Sequence, residues 1–253
     1  MVSYLNAVPL IEGLDGDPRF EIRRDVPARV AERLHAGEID LGLIPAVEYA
    51  AGDYAIVPGI AIAARGDVRS VCLFHRGDRL GEPRRVALDT SSRTSVALTR
   101  ILLRERLGRD PEYVALPPDV DAMLDVADAA LVIGDRALHC DLPRLDLGAA
   151  WFEATGLPFV FAFWAGRADA VTPDDVRRLH DAREAGLRRS DELAAAYGAP
   201  DAARAERQRE YLRRHIVYDL GDGELRGLRE FYRRAHVLGL LPRVPETRFH
   251  AHP

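Results

Sequence analysis

The side chains best able to hold an oxygen-rich ligand are concentrated in a few short stretches. In ALDTSSRTSVAL (87–98) a strand ends, hydroxyl residues turn the corner and a helix begins. Unpaired backbone N–H groups and the helix dipole make such a start a site for anions. Ser91, Ser92, Thr94 and Ser95 add hydroxyl donors there, and Arg93 adds a planar cation suited to a carboxylate. A helix cap needs one hydroxyl, and this stretch offers more. In VSYLNAVPL (2–10), Ser3, Tyr4 and Asn6 bunch where the apolar pattern breaks. Ser and Asn close strands by bonding nearby backbone, but strand tips of α/β proteins are also where ligands bind. Both readings stand at this point.

Further candidates are more scattered. Ser70, in GDVRSVCLF, begins a strand placed to line a cleft floor. Glu48 follows the strand tip at Ile44 in IDLGLIPAVEYA, either as a base or acceptor facing a cleft or as a carboxylate favouring a first helical turn. In VIGDRAL, Gly134 allows close backbone approach and Asp135 is placed to cap a helix. There is no Gly-x-Ser-x-Gly elbow, Walker A loop or His-Glu-x-x-His helix. His139, Cys140 and Asp141 are consecutive, so on a strand they point to opposite sides and converge poorly on a metal. His250 and His252 sit in a C-terminal stretch expected to fray. The arginine-rich run from Arg204 to Arg214 is expected as a solvated helical face.

The elements that must position these residues alternate at first. Strands are expected over 2–6, 20–26 and 39–44, with a helix from Pro27, which suits a first turn, to Gly37, which ends it. Units of this kind predict a parallel sheet covered by helices. A second set follows: strands 70–75 and 84–89, a helix over 90–108 ended by Gly108, and a buried strand over 128–135. The run Phe159–Ala165 is long enough to cross between two lobes. Beyond it the pattern is helical, with a capping-box start at Thr172, Pro173 and Asp175 and a second amphipathic helix through Leu225, Leu228, Tyr232 and Ala235. Two crossings, near 70 and near 160, predict a discontinuous pair of lobes with a small-ligand cleft between them.

Composition narrows the function class. The 253 residues carry a net charge of −5 and 47% hydrophobic content, enough for a packed core and unlike a nucleic-acid binder. All 35 basic residues are arginine, from which no function follows. No apolar run reaches the roughly 18 residues a membrane span needs. The N-terminus shows no basic region followed by an apolar run, so a cytoplasmic location is expected. With no export signal, Cys72 and Cys140 are expected as buried free thiols. Nothing in the sequence sets an oligomeric state.

In order and spacing, SYLNAVPL, GEIDLGLIPAVEYA, VALDTSSRTSVAL, LVIGDRAL and TGLPFVFAFWAGR resemble the chorismate dehydratase family of the futalosine route to menaquinone, over essentially the whole chain. The family's pattern carries a few more residues ahead of the first motif. The resemblance implies a periplasmic-binding-protein-like type II α/β fold: two α/β lobes joined by two crossing strands, with the ligand cleft between them. Lobe 1 would comprise 1–70 and 165–253, and lobe 2 71–164. It implies loss of water from chorismate, a small dianion, by a cytosolic enzyme. Asn6 and Ser70 would be its functional pair. Ser92, Arg93 and Thr94 would hold a carboxylate, and Ser3, Ile44, Gly134 and Asp135 would complete the substrate site. That chemistry implies neither a redox cofactor nor a metal, and neither nucleic acid nor membrane as partner. The substrate's own enolpyruvyl carboxylate is the expected base, with Glu48 as the protein-side alternative. A non-catalytic receptor for small anions, or another futalosine-pathway enzyme of this fold, would share the architecture.

Overall fold

An apolar run with no polar break must be covered on both faces, and in the computed structural model, which describes residues 3–251, the run at 159–166 is buried throughout. The strands are β1 (Leu41–Pro45), β2 (Ala55–Ala64), β3 (Val71–Phe74), β4 (Arg85–Asp89), β5 (Glu112–Leu116), β6 (Ala129–Ile133), β7 (Arg144–Asp146) and β8 (Phe159–Gly166). They make two sheets, ordered β1-β8-β2 and β5-β4-β6-β3-β7. The helices are α1 (Pro27–His35), α2 (Thr94–Leu107), α3 (Val120–Val126), α4 (Gly134–Leu138), α5 (Leu147–Thr155), α6 (Pro173–Arg188), α7 (Ser190–Ala196), α8 (Ala202–Glu210) and α9 (Asp222–Val237).

The parallel sheet expected from the first elements is not formed. β8 runs antiparallel to both β1 and β2, so the smaller sheet is antiparallel. Parallel pairing is confined to β4 with β5 and with β6, while β3 is antiparallel to β6 and β7. The strand expected over 2–6 is absent as well. Val2 lies outside the described residues, and Leu5–Ile11 form a 3-10 helix whose apolar side packs on α6. A short apolar run of this length does not distinguish a strand from a tight helix. Residues 20–26 form no named strand; only Asp25 is in a bridge.

β2 escaped the sequence reading because Pro58 and Gly59 interrupt it. They sit where the register with β8 shifts between Ile56 and Ala61, and Gly59 has φ +72. The bulge lets one long strand continue past a Pro-Gly pair. The C-terminal stretch is docked rather than frayed: Ile56 bridges Phe249, and the His250 amide donates to the Ile56 carbonyl at 2.9 Å. His252 lies outside the described residues.

Other expectations hold. α1 starts at Pro27, α2 ends at Gly108 in the left-handed conformation, and α6 carries the capping box of Thr172 and Asp175. Cys72 and Cys140 are free thiols; Cys72 is buried as expected, whereas Cys140 is only half-buried. Among the described residues no helix is long and apolar enough to cross a membrane. The two sheets connect through residues 65–70 and 156–158. The second connection is held by Trp151, whose indole N–H donates to the Pro158 carbonyl at 3.2 Å, and by an edge-packed cluster of Trp151, Phe159 and Phe231.

Candidate active site

Between the sheets lies a small cavity. The 3-10 helix contributes Asn6, with Tyr4 just before it, the first connection Ser70, and the turn into α2 Ser92, Thr94 and Ser95. Ile62 on β2 and Phe161 on β8 close it with apolar surface. Every lining residue is uncharged.

Asn6 is held from several sides. Asp135 of α4 accepts the Leu5 amide at 3.2 Å and the Tyr197 hydroxyl at 2.6 Å, which fixes the start of the 3-10 helix. The Tyr218 hydroxyl donates to the Asn6 carbonyl at 3.0 Å. Asn6 Oδ1 is buried with no partner among the described residues, and the residue lines the cavity. A buried acceptor left unmet is costly, so this atom is available to a ligand.

Ser70 is aimed by a strained turn. Arg69 before it is the one non-glycine with positive φ (63°) among the described residues. Asp146, the N-cap of α5, accepts the Val68 amide at 3.1 Å and the Arg69 amide at 2.7 Å while also capping its own helix. Such strain persists only where surrounding bonds over-determine it. The Ser70 carbonyl accepts the Gly134 amide at 2.8 Å, and the fully buried Tyr211 hydroxyl donates to Ser70 Oγ at 2.7 Å.

The start of α2 is open. Its N-cap position is Arg93, and no side chain caps it, so first-turn amides are left for another acceptor. Thr94 Oγ1 accepts the Val47 amide at 3.1 Å, which leaves its own proton free for the cavity. Behind Ser92 runs a hydroxyl chain. Ser91 Oγ donates to buried Asp89 at 2.6 Å, so the Tyr4 hydroxyl, at 3.2 Å, is the donor to Ser91. Burial pushes the Asp89 carboxyl above its ordinary range, against the Ser91 bonds that lower it.

Other sequence candidates lie elsewhere. Ser3 is exposed and donates to the Asp25 carbonyl. Arg93 points away, pairing with Glu32 at 3.0 Å and Glu48 at 3.7 Å. Glu48 also meets His35 Nε2 at 2.9 Å and does not line the cavity. Ile44 is fully buried in β1, and its neighbour Pro45 reaches the cavity instead. Gly134 has φ +68, and a Cβ there would stand 2.8 Å from the Tyr4 ring, so glycine is what lets that ring lie over the start of α4. Asp135 bonds Leu5 and Tyr197 and is not among the lining residues. It caps, but the capped segment is the one carrying Asn6.

Sequence reasoning missed Tyr211, hidden in the run taken for a solvated face. Gln208, Tyr211 and Leu212 form a buried stripe through those arginines, and three uncharged residues at helical spacing were the available signal. Asn6 is also the chain's single asparagine.

Asp135 gives a pH prediction. Burial raises its pKa, against the bonds from Tyr197 and Leu5. The folded state therefore holds this proton more tightly than the unfolded chain does. Its contribution to stability is complete below the ordinary carboxylate range and falls as pH rises through the raised value. Asp135→Asn removes that slope, so the Tm of the variant relative to the parent is expected to climb as pH rises above the ordinary carboxylate range. A constant difference in thermal melts over that rise in pH would contradict it.

A cavity between two sheets joined by two crossings, with a helix N-terminus on its wall, defines the periplasmic-binding-protein-like class. Solved structures agree on the fold. A protein of Archaeoglobus fulgidus aligns with TM-score 0.73 at 21% identity, covering 95% of this chain and 97% of that one. The alkanesulfonate-binding protein SsuA of Xanthomonas axonopodis, bound to MOPS, aligns with TM-score 0.63 at 16% identity over 97% and 92% of the two chains. A family model described as menaquinone biosynthesis matches residues 1–237. The chorismate dehydratase of Thermus thermophilus is 34% identical over 94% of this chain and 93% of its own length. That of Campylobacter jejuni is 30% identical over 63% and 58%. The chain belongs to the menaquinone biosynthesis family that includes these enzymes.

Proposed function

We infer that this protein is a hydro-lyase that eliminates water from chorismate to give 3-[(1-carboxyvinyl)oxy]benzoate, in the cytoplasm. The observation that carries this reading is the convergence of Asn6 and Ser70 on one cavity, in a chain 34% identical to a chorismate dehydratase. The lobes expected as 1–70 with 165–253 and 71–164 are better divided earlier: the pairing of Phe159–Gly166 with β1 and β2 favours counting this run with lobe 1 and a return crossing at 156–158.

Chorismate brings two carboxylates and a cyclohexadiene ring. The uncapped start of α2, with Ser92 and Thr94, suits one carboxylate. Ile62, Phe161 and the Tyr4 ring suit the cyclohexadiene. In the reaction the C3–H and C4–O bonds break, the ring becomes aromatic, and hydroxide leaves with the C3 proton as water. The protein's part is to hold the reactive conformer, exclude bulk water and meet the departing oxygen. Asn6 orients substrate through hydrogen bonds, since an amide does not accept a proton usefully. The enolpyruvyl carboxylate takes the C3 proton, positioned by Ser70 and Asn6. The pairing of Glu48 with His35 and Arg93 outside the cavity supports a substrate base over a protein one.

Glu48→Gln is expected to keep single-turnover dehydration within about tenfold of the parent. A loss near a thousandfold, beyond the roughly hundredfold of ordinary misplacement, would make Glu48 the base. The function itself is tested by incubating purified protein with chorismate and following the product by mass spectrometry. Loss of one water is expected; tight binding of unchanged chorismate would instead identify a receptor.

A further inference from the structure

Tyr211 opens a π-helical turn, Tyr211–His215, that follows α8 directly. Such turns are rare and recur at functional sites. Gln208, about one turn before it, and Leu212, next to it, are buried with it, so the ring lies inside the protein rather than on the surface. Its hydroxyl meets Ser70 Oγ at 2.7 Å. Burial dominates around this hydroxyl and holds Tyr211 well above the ordinary phenol range, therefore neutral at physiological pH.

A neutral phenol has one proton to give, and here Ser70 Oγ receives it. A serine hydroxyl has one proton and two lone pairs. Among the described residues no group accepts the Ser70 proton, and Ser70 lines the cavity. The backbone around it is already fixed, by Asp146 on the Val68 and Arg69 amides and by Gly134 on the Ser70 carbonyl. The hydroxyl rotor is the freedom that remains.

We propose that Tyr211 is a positioning residue that sets the direction of the Ser70 hydroxyl. Ser70 accepts from Tyr211 and consequently presents its own proton to an oxygen of the bound molecule. The chain of donation runs from Tyr211 to Ser70 and from Ser70 into the cavity. Asn6, whose Oδ1 is buried with no partner among the described residues, lines the same cavity as an acceptor. The cavity therefore offers one oriented donor and one unmet acceptor. An oxygen bearing a lone pair, such as a carboxylate or ether oxygen, is matched at Ser70, and a hydroxyl or other donor at Asn6. Naming that molecule as chorismate rests on the proposed function; the polarity of the chain does not.

The test is a cycle of Tyr211→Phe and Ser70→Ala, alone and combined, each change deleting one oxygen atom. kcat and KM for chorismate are measured with the Tm of every variant. Tyr211→Phe is expected to lower kcat by about ten- to a hundredfold with KM changed less than about threefold. In the Ser70→Ala background the same change is expected to alter kcat by less than about threefold, because Tyr211 acts through Ser70. An unchanged kcat in Tyr211→Phe would overturn the proposal, and so would an equal loss in both backgrounds. If the parent binds chorismate without turning it over, the functional reading fails and the cycle is run on chorismate affinity by calorimetry. Tyr211→Phe is then expected to weaken binding about tenfold when Ser70 is present and not when it is alanine; equal weakening in both would overturn the relay on its own terms.

Discussion

Ser70→Ala is expected to lower kcat for chorismate dehydration by about 10²–10³, the range seen when one preorganised donor is removed from a reacting centre. KM is expected to move less than tenfold, since the hydroxyls and amides at the start of α2 still hold the substrate. The size follows from how rigidly Ser70 is presented. The strained Arg69, the Val68 and Arg69 amides on Asp146 and the Gly134 amide fix the backbone from which Ser70 projects. The change also leaves the buried Tyr211 hydroxyl without its acceptor, at a cost of about 1–3 kcal/mol. Assays therefore belong well below the lowered Tm. Steady-state kinetics with a thermal melt separate the two effects, and a variant retaining more than a third of the parental kcat would remove Ser70 from the chemistry.

Gly186→Ala acts at a distance and is expected to cost both stability and activity. Gly186 lies on α6, where a Cβ would fall 2.0 Å from the Pro9 carbonyl oxygen and 2.6 Å from its carbon. Both sides of that contact are backbone, so no side chain can give way. Relief requires the 3-10 helix to move about 1 Å off α6. Overpacking of this kind costs about 1–3 kcal/mol, and occasionally more. In a chain of this size each kcal/mol lowers Tm by about 2–4 °C. The same helix carries Asn6, and a displacement near 1 Å at a reacting centre costs about a hundredfold. The joint loss is the signature, and a variant that melts earlier yet turns over chorismate at the parental rate would uncouple Asn6 from the packing of Pro9.

Much of the scaffold was legible because its signals are local. Pro27 and Gly108 mark helix ends through backbone geometry, and the Thr172–Asp175 pair writes its own capping box. The hydroxyl turn before α2 was also readable, since helix starts expose amides whatever surrounds them. Orientation was not. Arg93 sits between Ser92 and Thr94 in the chain, yet its guanidinium leaves the cavity for Glu32 and Glu48 because the turn sends alternate side chains to opposite sides. Glu48 turns to His35, a partner 13 residues away that residue spacing does not reveal. Asn6 was placed on a strand because short apolar runs do not distinguish strand from tight helix. Tyr211 lay among arginines whose charge masked a buried stripe. β2 was hidden by a Pro-Gly pair that a bulge absorbs.

The wall around the ligand space carries no formal charge. A guest with two negative groups is then retained by counting and aiming dipoles, so affinity should respond little to ionic strength. The product keeps both carboxylates after the ring flattens, so the same dipoles face it, and its release should depend as little on salt as the substrate's capture.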